Sequence, residues 1–170
     1  MDRKRYLMIV LLLSLAAAGG IIYYHGVTWK AALYTGASVC LVSVAVEDAA
    51  TLKIHDVLSV YLMLFGIAGV FIEPDIGIPE RIAGSLCVAV PMAGFGGILK
   101  GGFGGGDILL CVSAGFLLGW RGMLDACVIA FLVAGVYAAV LLVSKRARGN
   151  SSFAFGPFLC TGFYLIMLIG

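Results

Sequence analysis

The 170-residue sequence predicts an all-α protein: a polytopic membrane helix bundle of about seven transmembrane helices, N-terminus cytoplasmic and C-terminus outside. Three observations predict it. First, 62% of the residues are hydrophobic and only 12% charged, with a mean hydropathy of +1.12. A soluble domain carries about 25% charged residues, so lipid must be the solvent for most of this chain. Second, the apolar residues fall into runs close to the ~20 residues that cross a hydrocarbon core. Third, when the runs alternate across a bilayer, eight of the eleven basic residues lie on one side, as the positive-inside rule requires.

The expected spans are 6–24, 30–47, 57–73, 82–99, 108–120, 123–143 and 153–169, all within one domain, 1–170. The first follows "MDRKR"; its length, and an end in "IIYYHG" with no small-residue cleavage site, make it a helix rather than a signal peptide. Tyr23, Tyr24 and Trp29 then belong at the outer interface, where amphipathic rings are favoured. The cytoplasmic segments hold Arg3, Lys4, Arg5, Lys53, Lys100, Lys145, Arg146 and Arg148; the outer ones hold Lys30, Arg81 and Arg121 and the acidic loop "EPDIGIPE". At 1.5 Å per residue the 108–120 span covers only about 20 Å, short of the ~30 Å core. The chain is thus expected to be a multi-pass protein of the cytoplasmic (inner) membrane, with the bilayer as its first partner.

The net charge of +2 offers no basic field for nucleic acid. Cys40, Cys87, Cys111, Cys127 and Cys160 lie inside apolar runs, no CxxC occurs, and His25 and His55 are far apart. These features argue against a zinc site and a disulfide framework; the cysteines read as small apolar packers.

The carboxylates carry the chemistry. Glu73, Asp75 and Glu80 belong to the outer loop, and Asp125 reads as a helix-end residue. Glu47, Asp48, Asp56 and Asp107 remain, all at cytoplasmic ends of spans. Asp48 ends the second span and Asp107 opens the fifth, so they share a depth while far apart in sequence. A carboxylate near hydrocarbon is costly unless hydrated, paired or neutral, which makes it a functional candidate. Two carboxylates brought close divide into an acid and a base, the division that amide hydrolysis by aspartic proteases uses. Asp107 follows a glycine loop, "LKGGFGGGDILL" at 99–110, where Gly104, Gly105 and Gly106 allow a substrate strand close to the backbone. Separately, each aspartate also reads as an ordinary helix-end residue.

"GGFGGGDILL" (101–110) resembles the GxGD motif of the type IV prepilin peptidases, through Gly104, Gly106 and Asp107. "EDAATLKIHDVLS" (47–59) is similar to the first motif of that family, with Asp48 and Asp56 in its acidic positions. "FAFGPFLCTG" (153–162) resembles its third, through Phe155, Gly156, Pro157 and Phe158. The resemblance implies a membrane aspartic endopeptidase that removes the basic leader of type IV prepilins or pilin-like proteins at the cytoplasmic face. Asp48 and Asp107 would be its catalytic pair, acting on a water without metal or organic cofactor. Glu47 and Asp56 are candidates to hold the basic leader. The paired-cysteine insert of larger members is absent, so the chain resembles the compact, peptidase-only branch associated with Flp or tight-adherence pili, and N-methylation is not expected. His55 stands where the family usually has proline, and Leu109 where a lysine often occurs. Two other readings of intramembrane carboxylates are an ion- or proton-coupled transport component and an intramembrane protease of the presenilin or signal-peptide-peptidase type.

Overall fold

The computed structural model describes residues 3–98, 104–144 and 154–170. Lys100, Lys145, Arg146, Arg148, the loop residues 101–103 and the span ends at 99 and 153 lie outside them. Among the described residues the chain forms six helices and no strand: α1 (Arg3–His25), α2 (Trp29–Thr51), α3 (Asp56–Ile72), α4 (Ile78–Ile98), α5 (Gly105–Val143) and α6 (Gly156–Ile169). It is a helical bundle of membrane type. Three helices, α1, α2 and α5, are long and apolar enough to cross a bilayer by length and composition.

α5 runs through both the fifth and the sixth expected spans. The intervening loop of the sequence reading is replaced by one residue, Gly119, at φ 70°, ψ 176°. That backbone is open to glycine and strained for other residues. Helical residues resume directly, so Arg121 belongs to the second helical half, where its guanidinium lies over the Trp120 ring at 5.3 Å. α2 is also longer than the 30–47 span. It starts on a Thr28 cap, whose hydroxyl accepts from Ala31 N at 3.1 Å, and continues four residues past Glu47.

α5 is the centre of the bundle. It packs on α4, α6 and α3, while α2 packs on α1, α3 and α6. Gly84 and Gly115 let α4 and α5 meet backbone to backbone; a Cβ on either would overlap the carbonyl oxygen of the other. Close approach through small residues is how membrane helices gain packing when lipid is as apolar as their side chains. Leu41, Leu62, Leu110, Leu117, Leu159 and Phe163 fill the common core.

Glu73 lies in the connection between α3 and α4, as expected, and Arg81 in the first turn of α4. Both are buried, Arg81 completely. Arg81 Nη1 donates to Phe116 O at 3.1 Å and Leu117 O at 3.0 Å, two carbonyls whose i+4 partners lie just beyond the Gly119 break. Its Nη2 donates to Gly69 O at 2.9 Å and Glu73 O at 3.0 Å, and its Nε to Ile76 O at 3.1 Å. Glu73 Oε1 in turn accepts from Tyr34 OH at 2.9 Å and pairs with Lys30 Nζ at 3.1 Å. A buried charge needs partners of this kind, and a loop-by-loop charge count cannot supply them.

Candidate active site

The ends of α2, α5 and α6 meet at the opposite pole from Arg81. On α2 the buried residues Tyr34, Ala37, Leu41 and Val44 recur every three or four positions, and Asp48 takes the next place on that face. Asp48 is therefore buried, 6% exposed, one turn before the helix ends. The end itself is a left-handed residue, Leu52 at φ 55°, ψ 31°, whose N–H donates to Asp48 O at 2.8 Å. Across the site, Gly156 N donates to Asp48 Oδ2 at 2.8 Å. Gly156 opens α6, so Asp48 satisfies one of the free N–H groups at that helix N-terminus and faces its positive dipole end.

Asp107 lies in the first turn of α5, half-buried, three residues after the cap Gly104. Its carboxylate folds back towards its own cap: a Cβ on Gly104 would lie 3.5 Å from Asp107 Oδ2. It also feels the charge of Asp48, and both carboxylates act electrostatically on the buried Cys160 thiol of α6. The structure thus brings Asp48 and Asp107 into one electrostatic neighbourhood. Among the described residues neither pairs with a lysine or arginine.

The remaining expected site residues divide. Gly104 and Gly105 are exposed, and nothing lies within 4 Å of a Cβ placed on Gly105. Gly106 is different: the α2–α3 connection covers it, and a Cβ there would lie 2.9 Å from Ile54 Cβ and 3.1 Å from Ile54 O. The approach expected of a substrate is at Gly106 already taken by Ile54. No sequence signal marked Ile54, because its seat on the glycine loop exists only after α2 and α5 have docked. Glu47 is half-buried and its Oε1 sits 2.6 Å from His55 Nδ1, while Asp56 is exposed in the first turn of α3. Phe155 caps α6, its ring 5.4 Å from that of Phe131 on α5, and Pro157 occupies the first turn, where its missing N–H costs nothing. Gly156 is buried; a Cβ on it would come within 2.7 Å of Asp48 Oδ2.

Chemically, the arrangement offers two carboxylates, one of them fixed by a helix N-terminus, beside an exposed stretch of glycine backbone. Among the described residues no group of three His, Cys, Asp or Glu side chains converges as a metal site would require.

Residues 36–139 match the type IV leader peptidase family, a stretch that contains Glu47, Asp48, Asp56 and Asp107. Over 134 residues the chain is 31% identical to the prepilin leader peptidase/N-methyltransferase of Bacillus subtilis (strain 168), covering 76% of this chain and 52% of that protein. The chain therefore spans about half the length of the curated relative it matches. No solved structure matches it.

Proposed function

The chain belongs to the type IV leader peptidase family, and from that premise we propose that it is an aspartic endopeptidase of the cytoplasmic membrane. It cleaves the basic leader from type IV prepilins or pilin-like proteins at the cytoplasmic face, with Asp48 and Asp107 as the catalytic pair. What supports this reading is that Asp48, bonded to the first residue of α6, and Asp107, in the first turn of α5, come from different helices and that the charge of Asp48 reaches Asp107. Paired carboxylates that interact share a proton. The charged member draws a proton from water as that water attacks the scissile carbonyl carbon, and the protonated member donates to the carbonyl oxygen. Collapse of the tetrahedral species breaks the C–N bond and the amine leaves protonated. Gly104 and Gly105 offer backbone N–H and C=O groups to the extended substrate. Glu47 and Asp56 face the basic leader. The reaction proposed is peptide cleavage without N-methylation, since the sequence has no CxxC pair of the kind carried by the methylating members it resembles.

The test is co-expression with a pilin-like protein and mass spectrometry of the pilin N-terminus. Wild type is expected to leave a cut, unmethylated end. Asp48→Asn and Asp107→Asn should each slow cleavage by about 10²–10⁴-fold, the usual worth of a positioned acid or base. Full activity in either variant would sink the mechanism.

A further inference from the structure

Residues 52–55 join α2 to α3, and they are tied down one after another. Leu52 turns the chain with its left-handed backbone and donates its N–H to Asp48 O at 2.8 Å. The Thr51 hydroxyl lies 2.9 Å from Glu47 O and 3.2 Å from Lys53 O, so it bridges the last turn of α2 and the connection. Ile54 covers Gly106, the residue before Asp107. His55 then folds back onto α2, its Nδ1 2.6 Å from Glu47 Oε1. An ionised carboxylate only accepts, so Nδ1 carries the proton whether the ring is neutral or charged. The Glu47 side chain is 19% exposed and that of His55 68%, so the ring closes from outside onto a carboxylate seated in the bundle. His55 stands at the N-cap position of α3, yet its side chain makes no cap bond there; its bond goes to Glu47 instead.

We propose that His55 is a positioning residue for leader cleavage: its bond to Glu47 keeps Ile54 seated on Gly106 and so keeps Asp107 in place relative to Asp48. The proposal rests on the leader-peptidase reading and adds what aligns the two carboxylates. The connection touches the surroundings of both. At its start Leu52 bonds the backbone carbonyl of Asp48, and near its end Ile54 lies against the neighbour of Asp107. The start is fixed by the end of α2, and the end is fixed to the same helix by His55. Release of His55 leaves Ile54 held only by its own packing and by the first turn of α3, and the first turn of α5 loses a fixed cover. The backbone separates holding from touching. His55 stands at φ −77°, ψ 124°, a conformation that proline also adopts. Proline would stiffen the connection with no ring to bond Glu47 or to meet a substrate.

The experiment uses the full chain in detergent as wild type, His55→Ala, His55→Asn and His55→Pro. Hydrogen exchange is followed at residues 52–54, and cleavage of a synthetic peptide of basic leader plus apolar helix gives kcat and KM. His55→Ala should speed the exchange and lower kcat, each about fivefold, the upper worth of a part-exposed pair, with KM unchanged. His55→Asn, whose amide nitrogen can take the place of Nδ1, should restore both, and His55→Pro should restore kcat. A raised KM with unchanged kcat would make His55 a contact of the leader and overturn the proposal. Wild-type exchange in His55→Ala would overturn it too, as would a kcat that neither Asn nor Pro restores, because the ring itself would then be acting. Wild-type protein that leaves the peptide uncut sinks the peptidase reading instead, and the exchange rates still decide whether His55 holds the connection.

Discussion

Replacing Gly156 by alanine adds one methyl group against Asp48 and so separates packing from chemistry. The added Cβ would lie 2.7 Å from Asp48 Oδ2 and 3.1 Å from Asp48 Cβ and Cγ. Ordinary contact begins at about 3.5 Å, so the carboxylate must retreat by roughly half an ångström or more. Overpacking of this size costs about 1–3 kcal/mol, and alanine's helix preference returns up to about 1 kcal/mol. A net loss of at most about 3 kcal/mol leaves the bundle folded. The effect on rate is larger, because a misplacement of about 1 Å at a reacting group costs up to about 10²-fold. Thermal unfolding in detergent should show a modest drop, while leader cleavage falls about 10–100-fold, mainly in kcat. Wild-type cleavage with the lowered melting point would confine Asp48 to capping α6 and refute its catalytic role. Wild-type values of both would refute the packing itself.

The other predictions test the supports of the site. Arg81→Met leaves Phe116 O and Leu117 O without the donor that serves them at the Gly119 break; at about 1–3 kcal/mol per buried orphan, unfolding measurements should show a loss of about 2–6 kcal/mol, with Arg81→Lys between it and wild type. Gly106→Ala should cost about 1–3 kcal/mol against Ile54, whereas Gly105→Ala, with open space around it, should be neutral or slightly stabilising by the same melt. Leu52→Gly relieves a left-handed leucine and should raise stability by about 1 kcal/mol.

Much of the site was legible because its signals are local. Asp48 and Asp107 stood out as carboxylates at the ends of apolar spans, and a glycine run set Asp107 apart. What was not legible depends on partners distant in sequence. Arg81 reads as a loop charge until Gly69, Glu73, Phe116 and Leu117 turn their carbonyls towards it. Gly119 reads as one more small residue in an apolar run until its φ of 70° breaks α5. Gly106 reads like Gly104 and Gly105 until Ile54 is laid across it.

The two poles use charge in opposite ways. At one, Arg81 takes five carbonyl acceptors from α3, the α3–α4 connection and α5, and Glu73 takes Lys30 and Tyr34. Removing a partner there strands another buried group, so these charges act as structure. At the other, Asp48 has one backbone donor from α6, and Asp107, in the first turn of α5, lies within reach of the Asp48 charge. A pair of carboxylates set this way is held in place by helix termini and is left with acceptor capacity unspent. Capacity of that kind is what a water and a peptide carbonyl require of it. If the pair served only to cap α5 and α6, Asp48→Asn and Asp107→Asn, which retain an acceptor oxygen for the same N–H groups, would keep both fold and cleavage. Retained folding with cleavage abolished is the outcome that the geometry predicts.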